Sequence, residues 1–258
     1  MPKLDLTAAR RVMTDAGEAR AIKAGAGLWR ARKPLVDAPG VIELHGFDPL
    51  WTHPDLAGAG IGQANAHVAR ITDLGSGGFH ATQAADAHQP VMRRAGNLWW
   101  QDFDGLSDRV IVPSGAWQGA DMSVVMVARL QSSASSGARV LAGGVVGHRY
   151  IALYQSGSSE TTIGRANARY VNGSLIPALT RGDLYNAWVT EDWVVLEVAG
   201  VDFTDSNFNN GLQYPGWRGG SNLVDGEIAF VAILPTALAN TVRASLTTTL
   251  ASIFGISL

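Results

Sequence analysis

The chain has 258 residues, of which 47% are hydrophobic and none is cysteine. This composition allows a sizeable buried core, and it excludes disulfides, thiolate metal sites and cysteine nucleophiles. Thirty glycines and ten prolines favour a turn-rich β architecture over a helical one. The first residues lack the basic and apolar pattern of a secretory signal, and no apolar run reaches the length of a membrane span. We therefore expect no membrane insertion.

The charge is unevenly distributed although the formal net charge is only −2. Residues 1–33 carry eight basic and three acidic side chains, whereas the remaining residues carry twelve basic and nineteen acidic ones. A basic arm on an acidic body predicts either docking onto an acidic partner or a solvated segment. The basic residues are scattered without interleaved aromatic residues, so no nucleic-acid binding is predicted.

The N-terminal region predicts two overlapping elements. Residues 5–24 are rich in Ala, Arg and Glu and predict a short helix. Residues 19–29 read as a strand, a glycine turn and a second strand. This segment contains Ile22, Gly25 and Trp29 in the spacing Ile-x-x-Gly-x-x-x-Trp, which resembles an attachment element of phage minor tail proteins. We interpret residues 1–40 as a basic docking arm and linker, with the docking residues Lys3, Arg10, Arg11 and Trp29.

Residues 41–258 are predicted to form one domain. Short β-branched or aromatic runs alternate with Gly, Ser, Asn and Asp clusters, and no helix is predicted between them. Residues 123–128 read SVVMVA and are apolar on both faces, as expected of a central strand. The pattern predicts an all-β fold of two packed antiparallel sheets. The predicted strands are 109–112, 122–130, 139–146, 150–154, 160–164, 193–199 and 227–234.

The C-terminal segment is predicted to be an amphipathic helix. Its apolar residues recur at helical spacing, and Gly255 follows as a C-terminal cap. The apolar positions are Leu238, Val242, Leu246, Leu250 and Ile253.

Two stretches about 150 residues apart carry a family resemblance. Residues 73–83 read DLGSGGFHATQ, Gln89-Pro90 follows, and residues 98–108 read LWWQDFDGLSD. Near the end of the chain stand Pro235, Leu238 and residues 254–256, FGI. This combination resembles the concanavalin A-like, laminin-G-like jelly-roll domains of bacteriophage, or gene-transfer-agent-like, tail, fibre and head-spike proteins. The resemblance gives a structural turn role to Asp73, Gly75, His80, Asp104, Gly105 and Asp108.

The resemblance implies a virion structural protein made in the host cytoplasm. Residues 1–40 would bind other virion proteins, and the lectin-like jelly roll would form a homo-oligomer that attaches to host surface glycan. The six glutamates include no Glu-x-Asp-x-x-Glu pattern of jelly-roll glucanases, so the protein is predicted not to be an enzyme. A purely architectural decoration or adaptor protein is one alternative.

A polysaccharide-cleaving enzyme on the same fold is the other alternative. Strand alternation would place Asp102 and Asp104 on one face, with Cα atoms about 6.5–7 Å apart. That spacing suits a catalytic carboxylate pair or part of a Ca²⁺ site, whereas Asp104 and Gly105 also read as a turn capped by Asp108.

The remaining candidates are ligand sites. Asp202, Asp205 and Asn207 lie in an oxygen-rich run that reads as a Ca²⁺ loop or as a simple polar loop, and no other cofactor is predicted. Five of the six histidines fall in residues 45–88 without the spacing of a zinc site. Eight tryptophans offer candidate sugar platforms or core packing. The candidate ligand-binding residues are Trp217, Tyr214, Arg218 and Trp117.

Overall fold

A computed structural model describes most of the chain. The described residues are 22–24, 27–29, 35, 40–58, 60–113, 115, 119–130, 138–143, 150–154, 157–159, 167–176, 180–189, 192–204, 212–214 and 225–258. The chain divides into two compact units, Met1–Pro34 and Leu35–Leu258. Leu35 belongs to the second unit because its N–H donates to the Glu43 carboxylate at 2.6 Å and its side chain packs on an apolar cluster.

The first unit contains a two-stranded antiparallel hairpin. Strands β1 (Ile22–Ala24) and β2 (Gly27–Trp29) pair with Ile22 opposite Trp29. The predicted strand–turn–strand is therefore found, and the helix predicted over residues 5–24 is wrong at its end, because strand pairing overrides a weak helix propensity. The docking residues Lys3, Arg10 and Arg11 lie outside the described residues.

The second unit contains an eight-stranded antiparallel sheet. Its strands are β3 (Ile42–Leu44), β7 (Val91–Ala95), β8 (Leu98–Asp104), β10 (Met122–Leu130), β13 (Ala168–Val171), β14 (Ser174–Leu175), β15 (Val194–Val201) and β17 (Asp225–Leu234). The strand order is β14-β13-β15-β10-β17-β8-β7. Strand β8 pairs with the first residues of β17, and β3 pairs with its last residues.

A seven-stranded antiparallel sheet forms the second layer. It consists of β4 (Thr52–His53), β5 (Arg70–Ile71), β6 (Ala81–Thr82), β9 (Val110–Val112), β11 (Ala138–Gly143), β12 (Tyr150–Tyr154) and β16 (Leu212–Tyr214). The order is β12-β11-β16-β9-β6-β5-β4. The all-β, two-sheet antiparallel sandwich predicted from the sequence is confirmed. The strand predicted at residues 160–164 lies outside the described residues.

Strand β10 is apolar on both faces because both faces of the sheet are covered there. Val124 and Met126 lie in the core between the sheets, while Val125 and Val127 lie in a second apolar cluster on the outer face of the eight-stranded sheet. Side chains of a strand alternate between faces, so a strand covered on both sides needs apolar residues at every position.

Helix α1 (Arg181–Val189) interrupts the run of strands, so the prediction of no intervening helix is wrong. Its side chains Leu184 and Trp188 are fully buried in the core between the sheets. Its start is capped reciprocally, because the N–H of Asp183 donates to Thr180 Oγ1 at 3.1 Å and the Thr180 hydroxyl donates back to the Asp183 carboxylate. Tertiary packing and this cap stabilise a helix without clear amphipathic periodicity.

Helix α2 (Asn240–Phe254) is the helix that the C-terminal periodicity predicts. It covers the outer face of the eight-stranded sheet. Leu246, Leu250 and Phe254 pack into the outer apolar cluster, whereas Val242 is exposed. Gly255 ends the helix in the left-handed conformation, with φ of 69°. Neither α1 nor α2, the two α-helices in the described part of the chain, is long and apolar enough to cross a bilayer.

Candidate functional site

The turn at residues 73–80 is organised by one carboxylate. Asp73 Oδ1 accepts hydrogen bonds from the N–H groups of Glu43 and Gly75 at 2.7 and 2.8 Å, and the Asp73 N–H donates to His80 Nδ1 at 3.0 Å. A Cβ on Gly75 would lie 2.0 Å from the carbonyl oxygen of Val41, so only glycine fits there. These side chains hold the loop against β3, which is a structural role.

The turn at residues 104–108 is closed in the same way. Asp104 Oδ1 accepts from the N–H groups of Leu106, Ser107 and Asp108 at 2.9, 2.8 and 2.9 Å. Asp108 Oδ2 accepts from the Asp104 N–H at 3.1 Å, and Gly105 has a positive φ of 67°. Burial alone would raise the pKa of Asp104, but the backbone hydrogen bonds lower it. Asp104 is thus committed to the turn.

The partner carboxyl in that turn has the opposite shift. Burial, followed by the nearby charge of Asp104, raises the pKa of Asp108 to about 6. Burial disfavours the charged form of an acid, and a like charge adds to this effect. Asp108 therefore changes protonation near pH 6.

Four carboxylates meet on the outer face of the eight-stranded sheet. Asp102 lies directly opposite Glu227 across the β8–β17 pairing, and Asp104 lies opposite Asp225. Opposed residues of an antiparallel pair, and residues two apart on one strand, point to the same face. We call these four residues the carboxylate face.

Two arginines bind two of the four carboxylates. Arg93 Nε donates to Asp102 Oδ2 at 2.9 Å, and Arg129 Nε donates to the buried Glu227 carboxylate. Arg129 also donates from Nη1 to Asp192 Oδ1 at 2.8 Å. Asp225 has no arginine or lysine partner among the described residues.

The guanidinium of Arg129 packs on two tryptophan rings. Its guanidinium carbon lies 5.7 Å from the ring centre of Trp100 and 5.1 Å from that of Trp193. The two indoles meet edge to face, with centroids 6.0 Å apart, and both belong to the outer apolar cluster beside Phe254. Cation–π contacts and the packed rings fix the position of the guanidinium. The packed tryptophans therefore hold Arg129, and with it the Glu227 carboxylate, in a fixed position.

Asp225 is the carboxyl of this face with a raised pKa. Its partial burial acts first, and the charges of Asp102, Asp104 and Glu227 add to it. Asp102 and Asp225 are both partly exposed, and they occupy diagonal positions on paired strands. The face thus combines an arginine-bound carboxylate with a carboxyl that holds its proton more firmly, which is the combination acid–base chemistry needs.

Several predicted site residues are not brought to this face. Trp217, Arg218, Trp117, Asp205 and Asn207 lie outside the described residues, as does the side chain of Tyr214 on β16. Asp202 Oδ1 accepts from the Thr204 N–H at 3.0 Å in a local turn. Within the described ranges, no three or more His, Asp or Glu side chains form a metal-binding group.

The tryptophans considered as sugar platforms are mostly packing residues. Trp188 is fully buried between the sheets, and Trp100 and Trp193 are buried on the outer side. Trp99 is half-buried. The guanidinium carbon of Arg94 lies over its ring, 5.0 Å from the ring centre. The platform role is therefore wrong for Trp188, because no sugar ring can reach a side chain inside the sandwich.

No protein-family model matches the chain, and no curated protein sequence matches it. Among solved structures, a sialidase of Trypanosoma rangeli is similar at 12% identity and a TM-score of 0.44 over 96% of this chain. The same enzyme in complex with sialic acid has a TM-score of 0.45, and its difluorosialic acid complex shows 14% identity. This chain spans 38% and 39% of the length of these two structures.

This comparison corrects two predictions. The similar solved structures are sialidases, which are enzymes, and this contradicts both the predicted virion structural function and the prediction that the protein is not an enzyme. Identities of 12–14% with TM-scores of 0.44–0.45 locate no site. The phage resemblance, the homo-oligomer, the virion location and the partners of residues 1–40 stay predictions.

Asp225 and Glu227 were missed as site residues. They stand more than 120 positions from Asp102, and the sequence shows them only as the polar start of a strand that is otherwise apolar. Charged residues at the start of a strand that is buried on both faces are unusual, and this pattern could have identified Asp225 and Glu227 as candidate site residues. The strand register that brings the two segments together is absent from local sequence.

Proposed function

We propose that this protein cleaves a polysaccharide or oligosaccharide at the carboxylate face. Asp225 is the proton donor and Asp102 is the base that activates water. The observation that carries the proposal is the diagonal placement of these two carboxyls in contrasting environments, one raised in pKa and one bound by Arg93. The earlier alternative paired Asp102 with Asp104, but the Asp104 oxygens serve the turn.

The strand geometry favours an inverting reaction. On paired antiparallel strands, the Cα atoms of residues in diagonal positions lie about 7–8 Å apart. Inverting glycosidases separate their carboxyls by about 6.5–9.5 Å, which leaves room for a water molecule, whereas retaining enzymes need about 5–5.5 Å. The backbone spacing of Asp102 and Asp225 is compatible with the first separation, which is measured between the carboxyl groups. Glu227, directly opposite Asp102, is nearer but is buried and bound by Arg129.

The chemical steps balance with these two groups alone. Asp225 gives its proton to the glycosidic oxygen as the bond from that oxygen to the anomeric carbon breaks. Water attacks the anomeric carbon from the opposite side, and Asp102 accepts the proton that the water loses. Arg93 holds Asp102 in place through its Nε. Exchange of the two carboxyl protons with solvent then restores the starting state.

The test is release of reducing ends from a panel of neutral and acidic polysaccharides. We expect the wild-type chain to release them, and both Asp225→Asn and Asp102→Asn to be slower by at least about 100-fold. Asp121→Asn, at an exposed position at the entry to β10, is the matched control and should be unaffected. Nuclear magnetic resonance of the first product should show an inverted anomeric centre.

Two results would overturn the proposal. One is that the wild-type protein releases no reducing ends from any member of the panel. The other is that Asp225→Asn and Asp102→Asn cleave as fast as the Asp121→Asn control. If the product retained its anomeric configuration, cleavage would still occur at the carboxylate face, but the catalytic pair would be Asp102 and Glu227 instead of Asp102 and Asp225.

A further inference from the structure

A cavity lies on the outer face of the eight-stranded sheet, apart from the carboxylate face. It has a volume of about 340 Å³ and is bounded by the β13–β14 hairpin, the first half of α2 and Leu258. We call it the hairpin pocket. Strand β13 is three strand positions from β17, which separates the axes of these two strands by about 14 Å across the sheet. One sugar unit cannot occupy both places.

The hairpin places its polar groups at the edge of the pocket. Asn172 and Gly173 join β13 to β14 with φ of 49° and 79°, the positive angles of a tight two-residue turn. Asn172 Oδ1 accepts from the Val195 N–H at 2.9 Å, which anchors the turn on β15. Because Oδ1 is engaged, the side-chain NH₂ group of Asn172 remains available as a donor. Ser174 and Tyr170 line the pocket together with Asn172.

Helix α2 provides the opposite wall. Asn240 Oδ1 accepts from Arg243 Nη1 at 2.5 Å, so the Asn240 NH₂ group also remains as a donor. Thr247 lines the deeper part of the pocket, and Ala244 lines its mouth from an exposed helix position. The two walls together offer hydroxyl and amide groups that donate and accept hydrogen bonds.

The charge of the pocket is internally neutralised. Arg243 is the charged side chain among its described lining residues, and it binds both Glu197 oxygens, at 2.6 and 3.0 Å. Its Nη2 also donates to the Leu238 carbonyl at 3.0 Å, and its guanidinium lies 3.9 Å from the Tyr170 ring centre. An arginine so engaged attracts an anionic ligand weakly. It serves mainly to fix Tyr170 and Asn240.

We propose that the hairpin pocket binds a neutral polyhydroxylated ligand of monosaccharide size. The volume is at the lower end of the range of small-molecule sites, and uncharged donors and acceptors on a preformed frame match sugar hydroxyls. Binding here is independent of cleavage at the carboxylate face. The proposal therefore stands or falls separately from the proposed function.

The test is titration of the whole chain with galactose, glucose, mannose and N-acetylglucosamine, followed by saturation-transfer nuclear magnetic resonance. Glycerol and glucuronate serve as the small polyol and the anionic probe. We expect saturable binding of at least one neutral sugar with a Kd of about 1 mM, typical of weak single-site contact. Binding of glycerol and glucuronate should be at least about tenfold weaker.

Three variants assign the signal to the pocket. Ala244→Leu fills the mouth from an exposed position and should weaken binding at least about tenfold, whereas Ser245→Leu adds the same side chain one residue further along α2, outside the pocket, and should not. Tyr170→Phe keeps the ring over Arg243 and removes a hydroxyl, so we expect a several-fold loss. Asp225→Asn should bind the sugar as the wild type does.

The proposal is overturned if no neutral sugar gives a saturable signal. It is also overturned if Ala244→Leu and Tyr170→Phe both bind as tightly as Ser245→Leu, or if glucuronate binds more tightly than every neutral sugar. If the saturation-transfer signal were lost only in Asp225→Asn, the sugar would bind at the carboxylate face and not in the hairpin pocket.

Discussion

Asp102 on β8 lies directly opposite Glu227 on β17, and each carboxylate is bound by a different arginine. Like charges directly opposite each other destabilise a sheet, and these two are tolerated because Arg93 and Arg129 neutralise them. Asp225 lies next to this arrangement without such a partner among the described residues. Partial burial, followed by the charges of Asp102, Asp104 and Glu227, raises the pKa of Asp225.

The turn role of Asp104 can be separated from catalysis. Asp104→Ala removes the acceptor of three backbone N–H groups, so we expect the free energy of unfolding to fall by about 1–2 kcal/mol. Asp104→Asn keeps one carbonyl oxygen and should lose less. Urea unfolding measures both, and Asp104→Asn should retain cleavage that Asp102→Asn loses. Cleavage lost equally in both Asn variants would return Asp104 to the catalytic pair.

Asp108 should make the fold less stable as the pH rises. Its pKa is about 6 in the folded chain against an ordinary value of 3.8, so the folded state keeps a proton that the unfolded state has lost. Stability from this group is full below about pH 3.8. It declines by about 3 kcal/mol, at about 1.36 kcal/mol per pKa unit, between about pH 4 and pH 7. Asp108→Asn keeps an acceptor for the Asp104 N–H and should remove that part of the decline.

Urea midpoints at pH 3.5, 5, 6 and 7 measure this effect. The wild type and Asp121→Asn should show the same slope with pH, and Asp108→Asn should show a smaller one. An Asp108→Asn profile parallel to that of the wild type would mean that the carboxyl has an ordinary pKa in the folded chain.

Gly105 is required both by its backbone angle and by its contact with Asp225. A Cβ at this position would lie 2.8 Å from the Asp225 Cβ, and φ is 67°. Gly96 has a similar φ of 58° with open space around its missing Cβ, which makes it a matched control. We expect Gly96→Ala to cost about 1 kcal/mol, from backbone strain alone, and Gly105→Ala to cost at least about 1 kcal/mol more.

Unfolding by urea compares the two alanine variants directly. Because the new methyl group pushes on Asp225, Gly105→Ala should also slow glycan cleavage, while Gly96→Ala should not. Equal stability losses would show that β17 moves aside without cost.

The buried pair of Arg243 and Glu197 should show strong coupling. Both side chains are less than a tenth exposed, and Arg243→Met leaves the Glu197 carboxylate buried without its cation. We expect a loss of about 3–5 kcal/mol for Arg243→Met and a smaller loss for the double variant with Glu197→Met. A double-mutant cycle by thermal unfolding measures the coupling. Additive losses would contradict a direct interaction.

Some features missed by the sequence interpretation were readable from local chemistry. Asn172-Gly173 is the dipeptide most typical of a two-residue hairpin, and it forms that turn here. Thr180 and Asp183 have the spacing of a helix-capping pair, and α1 begins there. These signals were available because turns and caps depend on a few neighbouring residues.

The sequence alone determined the all-β class, the position of the central strand β10 and the C-terminal helix with its Gly255 cap, because each follows from short-range periodicity or backbone preference. Tertiary structure decided which carboxylates share a face. The pairing of β8 with β17 joins segments more than 120 residues apart, and its register is set by packing on both sides of the sheet. Asp102 therefore faces Glu227 and Asp225 for a reason that no local pattern contains.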